Sequence, residues 1–113
     1  MMKTAPPFPL TREQANRLHE YLQAYRRYAL ASLLPSVERN STLRILQTIQ
    51  GKLIEIMDQQ IVPLHLALTV EESNAVKMSI TELLLLYSRQ PPSDERNTTL
   101  ADLALLRASL KGY

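Results

Sequence analysis

The sequence predicts an all-α fold: an antiparallel four-helix bundle built from two repeated helical hairpins, with an extended connector between them. Three observations predict it. The first is an internal echo. Glu38-Arg39-Asn40-Ser41-Thr42-Leu43 returns as Glu95-Arg96-Asn97-Thr98-Thr99-Leu100, with five of six positions identical at a separation of 57 residues. Self-similarity of this kind marks a copied supersecondary unit. The second is a set of four stretches whose apolar residues stand three or four apart, the period of one helix face. The third is punctuation, since Pro35-Ser36 and Pro91-Pro92-Ser93 interrupt the two halves at matching places.

The echo runs on in both directions. Leu46, Ile49 and Leu53 fall opposite Leu103, Leu106 and Leu110. Upstream, after a slip to a separation of 58, Leu10-Thr11, Glu13 and Asn16 correspond to Leu68-Thr69, Glu71 and Asn74. Two amphipathic hairpins cannot each cover their own apolar face, but facing one another they can. Two copies are too few for a solenoid. A bundle with a pseudo-twofold axis is the natural closure.

Residues 1–9 contain Pro6, Pro7 and Pro9 and are expected to be extended or loose. Thr11 reads as an N-cap, with Gln14 completing a capping box. Helix 1 is expected to run to about Leu34, with Leu18, Leu22, Tyr25, Ala29 and Leu33 inward. Ser36 caps helix 2, expected from Val37 to Gln60, with Leu43, Leu46, Ile49 or Gln50, Leu53 and Met57 inward. Gly51 interrupts it at a cost of about 1 kcal/mol relative to alanine. Its counterpart is Ala108, so a close helix approach is the expected reason for a small residue at both places.

Residues 61–68 alternate with period two around Pro63 and read as an extended connector or short edge strand. They match the lead-in Phe8-Pro9-Leu10, and the two segments are expected to pair or cross. Thr69 caps helix 3 with Glu72 as its box partner, and Val76, Ile80, Leu83 and Tyr87 continue the stripe. Leu83 to Leu86 cover most of the circumference of that helix, so it should be buried on more than one side. A subunit interface through Leu84, Leu85 and Leu86, with Ile45 and Ile54 of helix 2, is one explanation; deeper burial under the connector is the other. Helix 4 runs from about Asp94 to Lys111 with Leu100, Leu103, Leu106 and Leu110 inward, and Gly112 as its stop. The whole chain reads as one domain, with hairpins at 10–60 and 69–111.

Composition narrows the function classes. There is no cysteine, which excludes disulfides, thiolate metal sites and cysteine nucleophiles. The formal charge of +2 is small, although residues 1–60 hold eight Lys/Arg against five Asp/Glu. The opening residues lack an apolar core of the secretory type, and no stretch is long enough to span a bilayer. A cytoplasmic protein without membrane partners is therefore expected. No Glu-x-x-His motif supports a di-iron bundle, and two glycines cannot build a phosphate loop, so neither metal, cofactor nor enzymatic activity is expected.

Three candidate sites remain. In a bundle of this topology Arg39, Asn40, Arg96 and Asn97 share one end, with Tyr28 and Tyr87 within reach. Arginine early in a helix opposes the macrodipole, so its presence at both places requires compensation. Either the two guanidinium forks hold an anion or a nucleotide phosphate, or each arginine pairs with a nearby carboxylate or helix-end carbonyl. Arg17, Arg26 and Arg27 offer helix 1 as a weak nucleic-acid face, against the alternative of an ordinary solvated surface. Tyr21 and Tyr28, seven apart on one flank, suit a partner contact. The expected function is a non-enzymatic, self-associating interaction module, most simply a homodimer, with anion binding as the alternative.

Overall fold

The computed structural model describes residues 7–60 and 62–110. Residues 1–6, Ile61 and residues 111–113 fall outside these, and with them most of the expected loose lead and the Gly112 stop. Strand β1 (Phe8–Leu10) precedes α1 (Arg12–Ser32) and α2 (Val37–Met57). Strand β2 (Leu64–Leu66), α3 (Val70–Ser88) and α4 (Asp94–Leu110) follow. The four helices pack against one another, with a small two-stranded sheet beside them.

Helix starts follow the local chemistry of the sequence. Thr11 Oγ1 accepts from the Gln14 backbone N–H at 3.0 Å, and Gln14 Oε1 accepts from that of Thr11 at 2.9 Å. Thr69 and Glu72 repeat the arrangement at 3.0 and 2.8 Å. Ser36 and Ser93 accept from the N–H groups of Arg39 and Arg96, each at 3.0 Å. A cap of this kind stabilises its helix by about 1 kcal/mol.

Two helices end earlier than expected. Helix α1 stops at Ser32: Leu33 is already extended, and Leu34, directly before Pro35, is disfavoured in the helical region. Helix α2 stops at Met57 rather than Gln60. There the Arg12 guanidinium donates to the carbonyls of Met57 and Gln59, supplying partners that a helix end otherwise lacks.

The two lead-ins pair, as their matching sequences imply. They run antiparallel, with Phe8 opposite Leu66, Pro9 opposite His65 and Leu10 opposite Leu64. Phe8, Leu10, Leu64 and Leu66 point into the core, and Pro9 and His65 point out. That is the period-two alternation of a half-covered ribbon.

Helix α3 occupies the middle of the packing, against α1, α2 and α4. This accounts for most of its leucine run. Leu83 is buried, and Leu84 and Leu86 pack partly buried against the core. Only Leu85 projects, at 54% exposure. Surrounding helices of the same chain, rather than the connector, supply the extra burial.

The expected close approach at Gly51 is corrected by the structure. Gly51 and Ala108 are both exposed, and a Cβ built on Gly51 meets nothing within 4 Å. The small residues that sit in the interior at matching steps are instead Ala15 and Ser73, 0% and 2% exposed. A helix that packs on three neighbours gains from small side chains there, which let backbones come together.

Candidate functional site

The repeated Arg-Asn pairs occupy equivalent surroundings. Arg39 Nε and Nη2 donate to Asn40 Oδ1 at 3.2 and 3.1 Å, and Nη1 donates to the Leu33 carbonyl at 3.2 Å. Arg96 does the same with Asn97 Oδ1 at 3.3 and 3.1 Å, and reaches the carbonyls of Ser88 and Gln90 at 3.4 and 3.0 Å. Helices α1 and α3 carry no basic residue in their own last turns. Each arginine at the start of one helix therefore serves the carbonyl end of the helix before it, where a cation is favourable. This is the compensation that an early arginine requires.

The two guanidinium groups do not share a cavity. Arg39 lines a pocket of about 340 Å³ with Tyr25, Leu34, Glu38 and Met78. Arg96 lines another of about 220 Å³ with Tyr87, Gln90 and Ser93, and the two pockets have no residue in common. Tyr28 instead packs on Tyr25, ring centroids 6.1 Å apart.

The remaining helix-1 residues are mostly engaged within the chain. Arg17 pairs with Glu13 at 3.3 Å and with Asp102 of α4 at 3.4 Å. Tyr21 donates its hydroxyl to the same Asp102, so its tip is spent on α4 rather than offered to a partner. Burial first, then the hydrogen bond to Asp102, pushes the Tyr21 hydroxyl well above the usual phenol range. Arg26 donates to Gln50 at 2.6 Å, and Gln50 donates to Gln23 at 3.0 Å, forming a polar seam between α1 and α2. Of Arg17, Arg26 and Arg27, only Arg27 stands exposed.

A second interhelical polar link closes the other side. Lys52 on α2 donates to Glu72 Oε1 at 2.6 Å and to the Ala67 carbonyl at 3.2 Å. Burial alone would raise the Glu72 carboxyl. The hydrogen bonds from Lys52 and from the Thr69 backbone outweigh it and hold the carboxyl below its ordinary range.

A groove runs along α2 and α3. One end is the Arg39 pocket; the other, of about 500 Å³, is lined by Val37, Ile45, Glu71, Ala75 and Met78 among others. The two share Glu38, Thr42 and Met78, so they form one trough. Leu34 and Val37 on its edge are 86% and 83% exposed. In its depth, Tyr25 donates to Glu82 Oε2 at 2.9 Å. Burial and that carboxylate push the Tyr25 hydroxyl upward, so it remains a donor across the working pH range.

The five residues expected at a subunit interface are dispersed. Ile45 lies in the groove, and Leu85 lies seven residues beyond Met78, on the same line of α3. Leu84 lines a separate cleft with Ala104, Arg107 and Ala108 of α4. Ile54 is 51% exposed and nine residues from Ile45, which places it on the opposite side of α2. Leu86 packs against the core. The groove residues that sequence reasoning passed over are Leu34, Val37, Met78 and Glu82. For Val37 and Met78 the signal was an apolar residue out of register: Met78 falls between Val76 and Ile80, off the inward stripe, and Val37 follows directly on a cap.

Among the described residues, no group of three or more His, Asp or Glu stands where it could hold a metal ion, and no helix is long and apolar enough to cross a membrane. Comparison of the chain with protein-family models, with curated proteins and with solved structures finds no match.

Proposed function

We propose that this protein is a non-enzymatic helical module that associates with itself through the α2–α3 groove, its fold an antiparallel bundle of two copied hairpins. The observation that carries the proposal is the exposure of Leu34 and Val37, at 86% and 83%, on the rim of a trough lined by Ile45, Ala75 and Met78. Covering one such side chain is worth about 1.5–3 kcal/mol, so a surface that gathers several gains by being covered. The matched caps and Arg-Asn turns support the copied-hairpin origin. Most polar groups elsewhere bond within the chain, in roles that hold helices together.

Light scattering coupled to size exclusion tests this proposal. A mass near twice that of the 12.9 kDa chain is expected at micromolar concentration. A single-chain mass up to several hundred micromolar sinks it. Anion binding at Arg39 or Arg96 is the weaker alternative, because each fork already donates to in-chain acceptors and an anion must displace them. A rise in melting temperature with phosphate-bearing compounds, abolished by Arg96→Gln, would favour that alternative.

A further inference from the structure

The groove and the C-terminal half of the outer surface of α1, where Arg27 is the exposed charge, are complementary in charge and share a border. Glu38, Glu71 and Glu82 line the groove against one cation, Arg39, which is occupied by Asn40 and Leu33. Among the described residues, none of these three carboxylates forms an ion pair. On α1, Arg27 and Leu30 stand three residues apart on the outer face, and Leu34 follows just beyond the helix end. All three are exposed, and Arg27 has no carboxylate partner among the described residues. Leu34 also lines the groove, so a basic apolar ridge runs directly into an acidic apolar trough.

A patch containing both members of a complementary pair side by side is what a closed twofold contact uses. The same surface meets itself turned by half a revolution, so that ridge meets trough and trough meets ridge. A residue on the border between them falls near the axis and meets its own copy. We propose that a second copy of this chain fills the groove about a twofold axis, the Arg27–Leu30 ridge of each copy lying along the trough of the other. Leu34 then sits near the axis, and Arg27 faces the partner's Glu38 and Glu71. This rests on self-association through the groove and adds its symmetry, its pairing and its charge logic. The carboxylates set which way round the copies dock, and the apolar floor supplies the affinity.

Charge reversal in complementary variants provides the test. Arg27→Glu creates four like-charge pairs across a twofold contact, and so does Glu38→Arg combined with Glu71→Arg, each with its mate unchanged. Either variant alone is expected to lose at least about 10-fold in dimer affinity, because repulsion at an interface acts twice under twofold symmetry. Mixed one to one, the two variants are expected to recover the dimer mass, since every acid again meets a base. Circular dichroism confirms that each variant is folded before mixing. Leu34→Ser, at an exposed site outside any helix, is a further variant expected to weaken the dimer without altering the helical signal.

Failure of the mixture to dimerise, or dimerisation of either variant alone as strongly as the wild type, overturns the twofold docking. If the wild type is dimeric and none of these variants changes that, self-association stands and this surface is wrong for it. If the wild type is monomeric throughout, both fall together.

Discussion

The two flanks of the molecule differ at equivalent steps of the repeat. On one flank, Ile45 of α2 and Ala75 of α3 line an open apolar groove. On the other, the matching positions are Asp102 of α4 and Arg17 of α1, which form an ion pair at 3.4 Å with Tyr21 also bonded to the carboxylate. Helix α2 packs along α3, whereas α4 is linked to α1 by these polar contacts. One flank is satisfied by its own side chains; the other leaves apolar surface to be covered. The halves keep the same caps and the same arginine turns, so the divergence lies in flank chemistry. Matching positions of the sequence echo can therefore differ in flank chemistry, where the residues between the shared anchors changed character.

The two halves share one core, and the largest effects are expected there. Leu46 and Leu103 are matching positions, both 0% exposed. Truncation of either to alanine is expected to cost about 2–5 kcal/mol in urea unfolding. If the halves are equivalent inside, the two losses agree to within about 1 kcal/mol. A wide disparity would show that the symmetry is confined to the surface.

The flanks respond in opposite ways to their own substitutions. Asp102→Ala strips Tyr21 of its acceptor and Arg17 of one of its two carboxylates, and is expected to cost about 1–3 kcal/mol of stability, with no change in association. Val37→Ser is expected to change stability by no more than about 0.5 kcal/mol while weakening association. Paired denaturation and light scattering on these two variants would erase the contrast if both behaved alike.

Acid should expose a third difference. Glu72 is ionisable, whereas its counterpart in the first capping box is Gln14. Because the Glu72 carboxyl is depressed in the folded protein, its contribution is fully present above its unfolded value and is lost as pH falls through the folded one. Melting temperature should drop between about pH 5 and pH 3, and Glu72→Gln should flatten part of that slope while lowering stability at neutral pH. An unchanged slope in the variant would assign the acid sensitivity elsewhere.

The smallest effects concern Gly51 and Ala108. Both face solvent, and nothing crowds the glycine. Gly51→Ala should therefore stabilise by about 0.5–1 kcal/mol, and Ala108→Gly should destabilise by a similar amount. A loss on Gly51→Ala would reinstate a packing role for the glycine.

Much of this was readable along the chain because it depends on neighbours in sequence. Thr11 with Gln14 and Thr69 with Glu72 are capping boxes wherever they occur ahead of a helix, and the alternation at residues 64–66 marks a strand by the direction of successive side chains. The arginine turns were half legible. Their repetition signalled a common device, but whether the forks met one another or the preceding carbonyls depended on geometry that no spacing encodes. The leucine run of α3 was half legible too, because amphipathicity reports how much of a helix is covered, never by what.

The sequence by itself determined the elements, their caps, the inward stripes and the pairing of the two lead-ins, since each arises from interactions within a few residues or from a copied pattern. Tertiary structure alone decided that α3 would touch three helices, that Asp102 would meet Arg17 and Tyr21, and that Val37 and Met78 would border one groove. Those outcomes depend on how helices rotate about their axes when a shared core closes, which shifts a flanking side chain between burial and exposure without altering the stripe that drives folding.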